Sequence, residues 1–219
     1  MKNKFTFECD DVVIAQVEKS PIYEFFKRTI DLIGAIIGII FCIPLFIIIG
    51  ILIKLESSGP IIFKQERVGK NNEIFYIYKF RSMKTSAPNK STAEFLDSHL
   101  YITKTGKFIR KTSIDELPQF FNILKGDMSF IGPRPVIETE YDLIYLRDEY
   151  GINKLKPGVT GWAQVNGRDS ITNSEKCSYD YEYLINRSFA FDIKILIKTI
   201  KSVITAEDIK DLIEEQKEC

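Results

Sequence analysis

The sequence predicts an α+β, mainly helical protein that combines a membrane-inserting helix with a small cytoplasmic domain. Residues 32–53 are uncharged and rich in isoleucine, and such a segment is long enough to cross a hydrocarbon core as a helix. Two apolar runs, 61–68 and 74–80, flank Gly69-Lys70-Asn71-Asn72 and predict a short β-hairpin. Residues 189–204 are amphipathic at helical spacing. They predict a helix that either lies on the membrane surface or closes the core, and we favour the surface.

The apolar segment has two features that argue against a simple span. Pro44 lies in its middle and cannot donate to the carbonyl of Ile40, which predicts a bend. Basic residues lie on both sides of the segment, and positive flanks are typical of cytoplasmic ends. From the residues alone, a helix that enters and leaves on the same face and an ordinary kinked span both remain open. The basic flanks are Lys27 and Arg28 before the segment, and Lys54, Lys64, Arg67 and Lys70 after it.

Composition limits the classes of partner. The 219 residues include 30 basic and 30 acidic side chains, so no bulk attraction to nucleic acid is expected. Residues 61–111 nevertheless carry eleven basic and four acidic side chains, which suits anionic headgroups or a phosphorylated substrate unless it is only a solvated surface. We divide the chain into a variable cytoplasmic extension (1–24), the membrane helix (25–56), a cytoplasmic domain (57–204) and an acidic tail (205–219).

Cysteine and histidine usage narrows the chemistry. The four cysteines lie far apart without metal-ligand spacing, and His99 is the single histidine of the sequence. These facts argue for reduced thiols and against histidine-based metal clusters or a Ser-His-Asp triad. An acid, base or nucleophile is therefore expected among the carboxylates, lysines and tyrosines.

The adjacent carboxylates Asp115 and Glu116 are the strongest candidates. Pro118 is tolerated in the first turn of a helix, where N–H groups lack intrahelical partners, so we expect a helix from near Asp115 to Lys125, with Gly126 as its left-handed stop. The positive end of this helix would favour the ionised carboxylates. The competing interpretation is structural, with Ser113 and Glu116 forming a capping box.

Cations frame this acidic pair in the sequence. Prolines on both sides stiffen the backbone around Arg134 in Gly132-Pro133-Arg134-Pro135, and Arg110 with Lys111 precedes the pair. By strand alternation, Lys79 and Arg81 share one face. An anionic nucleophile among fixed cations suits phosphoryl transfer, and these side chains are candidate phosphate ligands. A rigid structural turn is the alternative for the proline-flanked arginine.

A glycine-rich segment, residues 156–169, is the second candidate site. Its glycines would let a ligand approach the backbone, Trp162, Gln164 and Asn166 could hold a nucleobase or sugar, and Arg168 a phosphate. The alternative is an irregular structural loop with a buried tryptophan. The GxGxxG spacing of dinucleotide-binding folds does not occur, so a Rossmann interpretation fails.

Several of these segments together resemble the bacterial sugar transferases, the monotopic polyprenyl-phosphate phosphoglycosyl transferases. The match runs in one order from about residue 26 to residue 204. The matching segments are Gln65-Glu66-Arg67-Val68-Gly69, Tyr78-Lys79-Phe80-Arg81-Ser82-Met83, Asp115-Glu116-Leu117-Pro118-Gln119, Asn122-Ile123-Leu124-Lys125-Gly126-Asp127-Met128-Ser129, Gly132-Pro133-Arg134-Pro135 and Lys156-Pro157-Gly158-Val159-Thr160-Gly161-Trp162-Ala163-Gln164-Val165-Asn166-Gly167-Arg168.

The resemblance implies a reaction and a set of roles. A sugar-1-phosphate would pass from a UDP-sugar to polyprenyl phosphate, with undecaprenyl phosphate as the expected acceptor, through a covalent intermediate on Asp115, with UMP as the other product. Glu116 would ligate Mg²⁺, and Arg110 and Arg134 would hold phosphates. Asp180 matches a family active-site acid, and we group it with the phosphate-binding residues. The reaction would begin the assembly of a surface polysaccharide or glycan.

The resemblance also implies a location. It favours a re-entrant helix-break-helix at Pro44, membrane lipids as partners, and a catalytic domain on the cytoplasmic face of the inner membrane. Ile43 departs from the serine that the family places before this proline, and a serine hydroxyl would help to satisfy a freed carbonyl in the bend.

Three other functions remain open from the sequence. They are a glycosyltransferase that releases UDP, a membrane-bound phosphohydrolase without a lipid acceptor, and a membrane scaffold without activity. The identity of the sugar, the glycan pathway and a homodimer are also left open.

Overall fold

The computed structural model describes residues 21–87, 100–167 and 170–205. Most of the predicted extension and nearly all of the acidic tail lie outside the described residues. The described elements follow in the order α1 (Pro21–Glu56), β1 (Ile62–Val68), β2 (Ile74–Phe80), α2 (Lys104–Lys111), α3 (Gln119–Lys125), β3 (Ser129–Ile131), α4 (Tyr141–Glu149), β4 (Gly158–Thr160), α5 (Asn173–Asn186) and α6 (Phe189–Thr205).

The predicted hairpin is confirmed. Strands β1 and β2 pair antiparallel, with Ile62 opposite Phe80 and Val68 opposite Ile74. The turn between them places Asn71 and Asn72 at positive φ, a conformation that asparagine tolerates better than most residues. Alternation along the strands therefore sets which side chains share a face.

A second, parallel ribbon was not predicted. Strand β3 pairs with β4 through Ser129 with Gly158 and Ile131 with Thr160. A Cβ atom at Gly158 would lie 2.1 Å from the backbone nitrogen of Gly132, so glycine is required for this close approach. Because the strands are parallel, the proline-flanked arginine loop after β3 and the part of the glycine-rich segment after β4 begin at the same end of the ribbon.

Helix α1 is longer and more continuous than expected. It begins at Pro21 and runs through Pro44 as one helix of 36 residues, where two helices separated by a break were expected. A proline removes a single ladder bond, and packing on both sides of Pro44 holds the rest of the helix. By length and composition α1 could cross a membrane, and 17% of its most apolar window is buried, unlike a core helix. Its re-entrant path remains a prediction.

Side chains along one face of α1 form hydrogen bonds with the domain. Arg28 donates to the carbonyls of Ile123 and Leu124 at the end of α3, over 2.7 and 3.1 Å. The carboxylate of Asp31 accepts from the backbone N–H of Phe130 at 3.1 Å. These contacts attach the N-terminal half of α1 to the domain.

The C-terminal half of α1 packs on the same domain. Ile49 and Ile53 are buried in a cluster with Phe80 and Ile109, and Gly38 contacts the ring of Phe120. The opposite face of the helix is exposed, and most of its large apolar side chains are isoleucine. Its members include Ile33, Ile36, Ile37, Ile40, Ile43, Ile47, Ile48 and Ile51.

Helix α6 closes the core and also exposes an apolar stripe, so its place on the membrane surface stays a prediction. Ile195 is fully buried in the largest core cluster, which also contains Ile131 and Trp162. Six other apolar side chains of α6 are exposed: Phe189, Ile193, Leu196, Ile197, Ile200 and Val203. Ile195 is buried and Ile200 is exposed, because two residues five positions apart point about 140° apart around a helix.

Candidate active site

The acidic pair lies in a short 3₁₀ turn, Ile114–Glu116, between α2 and α3. Ser113 precedes it in the left-handed conformation and makes no side-chain cap, so the capping box is not formed. Helix α3 begins at Gln119 with Pro118 as its N-cap, three to four residues later than expected, while its stop at Gly126 is confirmed. The carboxylates are thus not used as helix caps.

Glu116 is held by cations from two other elements. Its Oε1 lies 2.7 Å from the Nζ of Lys79 and 3.9 Å from the Nη1 of Arg134. Lys79 comes from β2, and Arg134 from the loop after β3. Two of the predicted phosphate ligands therefore meet at one carboxylate.

The carboxyl group of Asp115 has a raised pKa. Burial of its carboxyl and the neighbouring charge of Glu116 raise its pKa to about 6, although Lys79 and Arg110 act in the opposite direction. The expectation that a helix end would favour the ionised form is therefore wrong for Asp115, because desolvation and like-charge repulsion outweigh the cations. The carboxyl nevertheless lies near Lys79 and Arg110, and the same two cations would interact with a bound diphosphate.

Arg110 reaches the acidic pair from α2. Its Nε donates to the Oγ of Ser82 at 2.8 Å, which fixes the plane of the guanidinium. Burial lowers the pKa of Arg110, and the charge of Asp115 opposes that shift. Ser82 was not singled out as a site residue, and it positions this arginine.

Arg67 is a further cation that the sequence reasoning missed. Burial and the nearby charge of Arg134 lower its pKa to about 10, against the opposing charges of Glu140 and Glu116. Its guanidinium donates to the side chain of Gln65 at 2.7 Å. Strand alternation could have identified this residue. Arg67 lies four residues after Phe63, so the two side chains share one face of β1, and Phe63 pairs with Lys79.

Asp180 does not reach the acidic pair. It is 1% exposed, and its Oδ2 accepts from Nε and Nη2 of Arg147 at 3.0 and 2.6 Å. Arg147 in turn donates to the backbone carbonyl of Arg134 at 2.8 Å. The expected direct contact with phosphate is corrected to a positioning role, because the buried ion pair holds the loop that carries Arg134.

Arg81 is also directed away from the site. Its guanidinium donates to the carbonyls of Ser57 and Ser58 at 2.6 and 2.9 Å and to the Oγ of Ser57. These groups lie at the C-terminal end of α1, where carbonyls lack intrahelical partners. Strand β2 ends at Phe80, and these contacts hold the guanidinium of Arg81 at the end of α1 and not beside Lys79, where alternation had predicted it.

The glycine-rich segment is turned inward. The Trp162 ring is 6% exposed, and its Nε1 donates to Glu182 at 2.7 Å. Gln164 donates to the carbonyl of Val159, and Asn166 to the carbonyl of Trp162. The structural interpretation, a loop with a buried tryptophan, therefore describes these three side chains better than a nucleotide site. Arg168 lies outside the described residues.

The donor set of the acidic pair is compatible with Mg²⁺. Among the described residues, no three histidine, cysteine, aspartate or glutamate side chains cluster as a metal cage. Mg²⁺ commonly uses one or two carboxylates and completes its coordination with water and substrate phosphates. The mutual repulsion of Asp115 and Glu116 is what a divalent cation would relieve.

Comparisons with known proteins identify the family of the chain. The family model of bacterial sugar transferases matches residues 22–206. The chain is 44% identical over 191 residues to the UDP-N-acetylgalactosamine-undecaprenyl-phosphate N-acetylgalactosaminephosphotransferase of Aeromonas hydrophila, covering 85% of this chain and 45% of that protein. It is 38% identical over 188 residues to the UDP-glucose:undecaprenyl-phosphate glucose-1-phosphate transferase of Escherichia coli, covering 83% of this chain and 40% of that protein.

A shorter relative is matched over most of its length. The chain is 41% identical over 185 residues to the uncharacterized sugar transferase EpsL of Bacillus subtilis, covering 84% of this chain and 90% of that protein. The chain thus spans less than half of the two longer relatives. The family match covers the hairpin, the acidic turn, the arginine loop and the glycine-rich segment in their observed order. The chain belongs to the bacterial sugar transferase family.

Proposed function

We propose that the protein transfers a sugar-1-phosphate from a UDP-sugar to polyprenyl phosphate, with undecaprenyl phosphate as the natural acceptor. The observation that carries the proposal is the acidic pair surrounded by Lys79, Arg110 and Arg134, beside an exposed apolar face of α1. The names of the relatives from Aeromonas hydrophila and Escherichia coli support the same acceptor and reaction class.

The first step would form a covalent intermediate on Asp115. A carboxylate oxygen attacks the β-phosphorus of the UDP-sugar, and the bond from that phosphorus to the bridging oxygen breaks. The bridging oxygen leaves with its electron pair as part of UMP. Lys79, Arg110 and Arg134 stabilise the charge that develops on the phosphate oxygens.

The second step would release the product and restore the enzyme. A phosphate oxygen of polyprenyl phosphate attacks the same phosphorus, and the bond from the phosphorus to Asp115 breaks. Asp115 returns as a carboxylate, and polyprenyl-diphosphate sugar departs. Glu116 would hold Mg²⁺ together with the diphosphate oxygens, and the metal would screen the charge of the leaving UMP.

A radiolabelled panel of UDP-sugars with undecaprenyl phosphate in detergent tests the reaction. We expect label in the lipid fraction and one UMP per transfer, both removed by EDTA and by the Asp115→Asn substitution. UDP as the nucleotide product would identify a glycosyltransferase instead. Free phosphate or sugar-1-phosphate without labelled lipid would identify a hydrolase. A protein without any of these activities would have the membrane scaffold as its remaining function.

We also propose that α1 is re-entrant and that the domain lies on the cytoplasmic face of the inner membrane. Support comes from the contacts that α1 makes with the domain from Arg28 to Ile53. A helix that crossed the bilayer would carry part of this polar domain into the hydrocarbon core, where unsatisfied polar groups are costly.

Cysteine labelling tests this topology after the native cysteines are replaced. Single cysteines at Lys19 and Asn71 should both resist a membrane-impermeant maleimide in intact cells and react in inverted vesicles. Opposite accessibility of the two positions would demonstrate a full span and overturn the proposed path. Pro44→Leu should give mixed topology, because it restores the missing N–H of the helix.

A further inference from the structure

An apolar groove runs along the C-terminal half of α1. It has a volume of about 380 Å³ and lies between the helix and Ile61, which precedes β1. Gly50 contributes no side chain here, and a Cβ atom at this position would lie 3.3 Å from Ile61. A side chain at position 50 would crowd Ile61, so glycine allows this close packing beside the groove.

The groove opens to the surface on which α1 is most apolar. Ile47, Ile51 and Leu55 line it and are all more than half exposed. Lys54 is the single charged residue of the lining and lies in the last turn of α1. A lysine at the end of an apolar helix places its ammonium at the headgroup level of a bilayer.

The groove and the acidic turn pack on the same apolar cluster. The ring of Phe46 packs edge-on against Phe80 with 5.3 Å between centroids. Phe46 and Ile61 pack on the cluster formed by Ile49, Ile53, Phe80 and Ile109, and so does Ile114, the neighbour of Asp115 in the chain.

We propose that this groove holds the first isoprene units of the polyprenyl phosphate acceptor, with Lys54 near the acceptor phosphate. The inference rests on the proposed function and adds the place of the acceptor. Phe46 to Leu55 spans about 14 Å of helix, enough for a few isoprene units of one chain. Lys54 in the lining supplies a positive charge that complements the acceptor phosphate.

The groove acts by orientation more than by affinity. Lipid tails are as apolar as the groove, so moving a prenyl chain into it yields packing contacts without a hydrophobic gain. A fixed first segment of the tail would hold the acceptor phosphate at the level of the phosphorylated Asp115, where alignment has a large effect on rate. The expected effect of filling the groove is therefore specific to the acceptor.

Matched tryptophan substitutions test the proposal. Ile51→Trp fills the groove, whereas Ile37→Trp adds the same side chain to an exposed isoleucine of α1 that does not line it. We expect Ile51→Trp to lower kcat/KM for undecaprenyl phosphate by about tenfold, the loss expected for a misplaced reactant. The kcat/KM for UDP-sugar should stay unchanged, and Ile37→Trp should behave as wild type.

Acceptor chain length supplies the second readout. With a polyprenyl phosphate of one isoprene unit, which has little tail to place, wild type and Ile51→Trp should have equal rates. An equal loss in Ile37→Trp, a loss that does not depend on chain length, or a fall in kcat/KM for UDP-sugar would overturn the groove assignment. A wild-type protein without transfer to any acceptor would instead overturn the proposed function.

Photocrosslinking covers the case in which Ile51→Trp fails to fold. Wild-type protein in nanodiscs of phosphatidylethanolamine and phosphatidylglycerol is irradiated with a polyprenyl phosphate that carries a diazirine near its phosphate. We expect label on the peptide that contains residues 46–55, and undecaprenyl phosphate should displace it. Label confined to other peptides, or equal displacement by added phospholipid, would show that the groove is not an acceptor site.

Discussion

The acidic turn and the glycine-rich segment both carry polar and aromatic side chains at motif spacing, yet their partners differ. Glu116 forms ion pairs with Lys79 and Arg134, which come from distant parts of the chain. These charges balance one another, and the same side chains can also bind a ligand. Gln164 and Asn166 instead use their amide donors on backbone carbonyls of their own segment, and the Oδ1 of Asn166 also accepts from Lys198 of α6. The difference teaches that amide donors bonded to the local backbone shape a loop, while charged side chains that converge on one carboxylate form a site for chemistry.

The largest expected effect is that of Asp115→Asn. An amide is a poor nucleophile, so transfer to lipid should fall on the order of 10⁴-fold or more, as for other removed nucleophiles. Thermal unfolding should be close to wild type, because Asp115 makes no cap of α3. The control is Asp142→Asn, an exposed aspartate of α4. Activity of Asp115→Asn within a few-fold of the control would exclude the covalent step.

The second effect concerns Arg134→Lys. The charge is kept but the planar fork is lost, and we expect kcat to fall by about a hundredfold, comparable to the loss of one donor to a developing anion. Arg187→Lys is the matched control, since Arg187 pairs with Glu24 at 3.1 Å away from the acidic pair. Equal kinetics of the two variants would mean that Arg134 supplies only an electrostatic field.

The third effect separates positioning from stability at Asp180. Asp180→Asn leaves the guanidinium of Arg147 buried without its counter-charge and should destabilise the fold by about 3–5 kcal/mol, measured by chemical denaturation. The paired change Asp180→Leu with Arg147→Met should regain much of that stability.

Activity of the paired variant is the decisive measurement. Its kcat should remain on the order of tenfold to a hundredfold below wild type, because the carbonyl of Arg134 has lost its donor and the guanidinium is no longer aligned. Full activity in the stable double variant would show that Arg147 and Asp180 are needed only for folding.

The smallest effect on catalysis is expected at Trp162. Trp162→Phe removes the hydrogen bond to Glu182 and should lower stability by about 1–3 kcal/mol, while KM for the UDP-sugar stays within about twofold, since the ring is buried in the core. A tenfold rise in KM at unchanged melting temperature would instead restore the nucleotide-site interpretation and remove the contrast between the two segments.

Local patterns predicted part of the secondary structure and much of the site, but not the parallel ribbon of β3 and β4 or the start of α3. The hairpin follows from two alternating runs around a turn, and the stop of α3 follows from Gly126. Lys79, Arg110 and Arg134 were named because fixed cations beside carboxylates suit phosphate chemistry, and the structure brings all three to the acidic pair. Arg67 was missed although the face it occupies could have been inferred from strand alternation.

What the sequence by itself determined is the hairpin, the stop of α3 and the chemical types at the site, because periodicity, turn residues and charge act over a few neighbouring positions. The tertiary structure decided the partners. Arg81 caps α1 and Asp180 holds Arg147, while Trp162 faces the core. Each outcome depends on which distant backbone or side chain lies within hydrogen-bonding distance, and a linear pattern does not contain that distance.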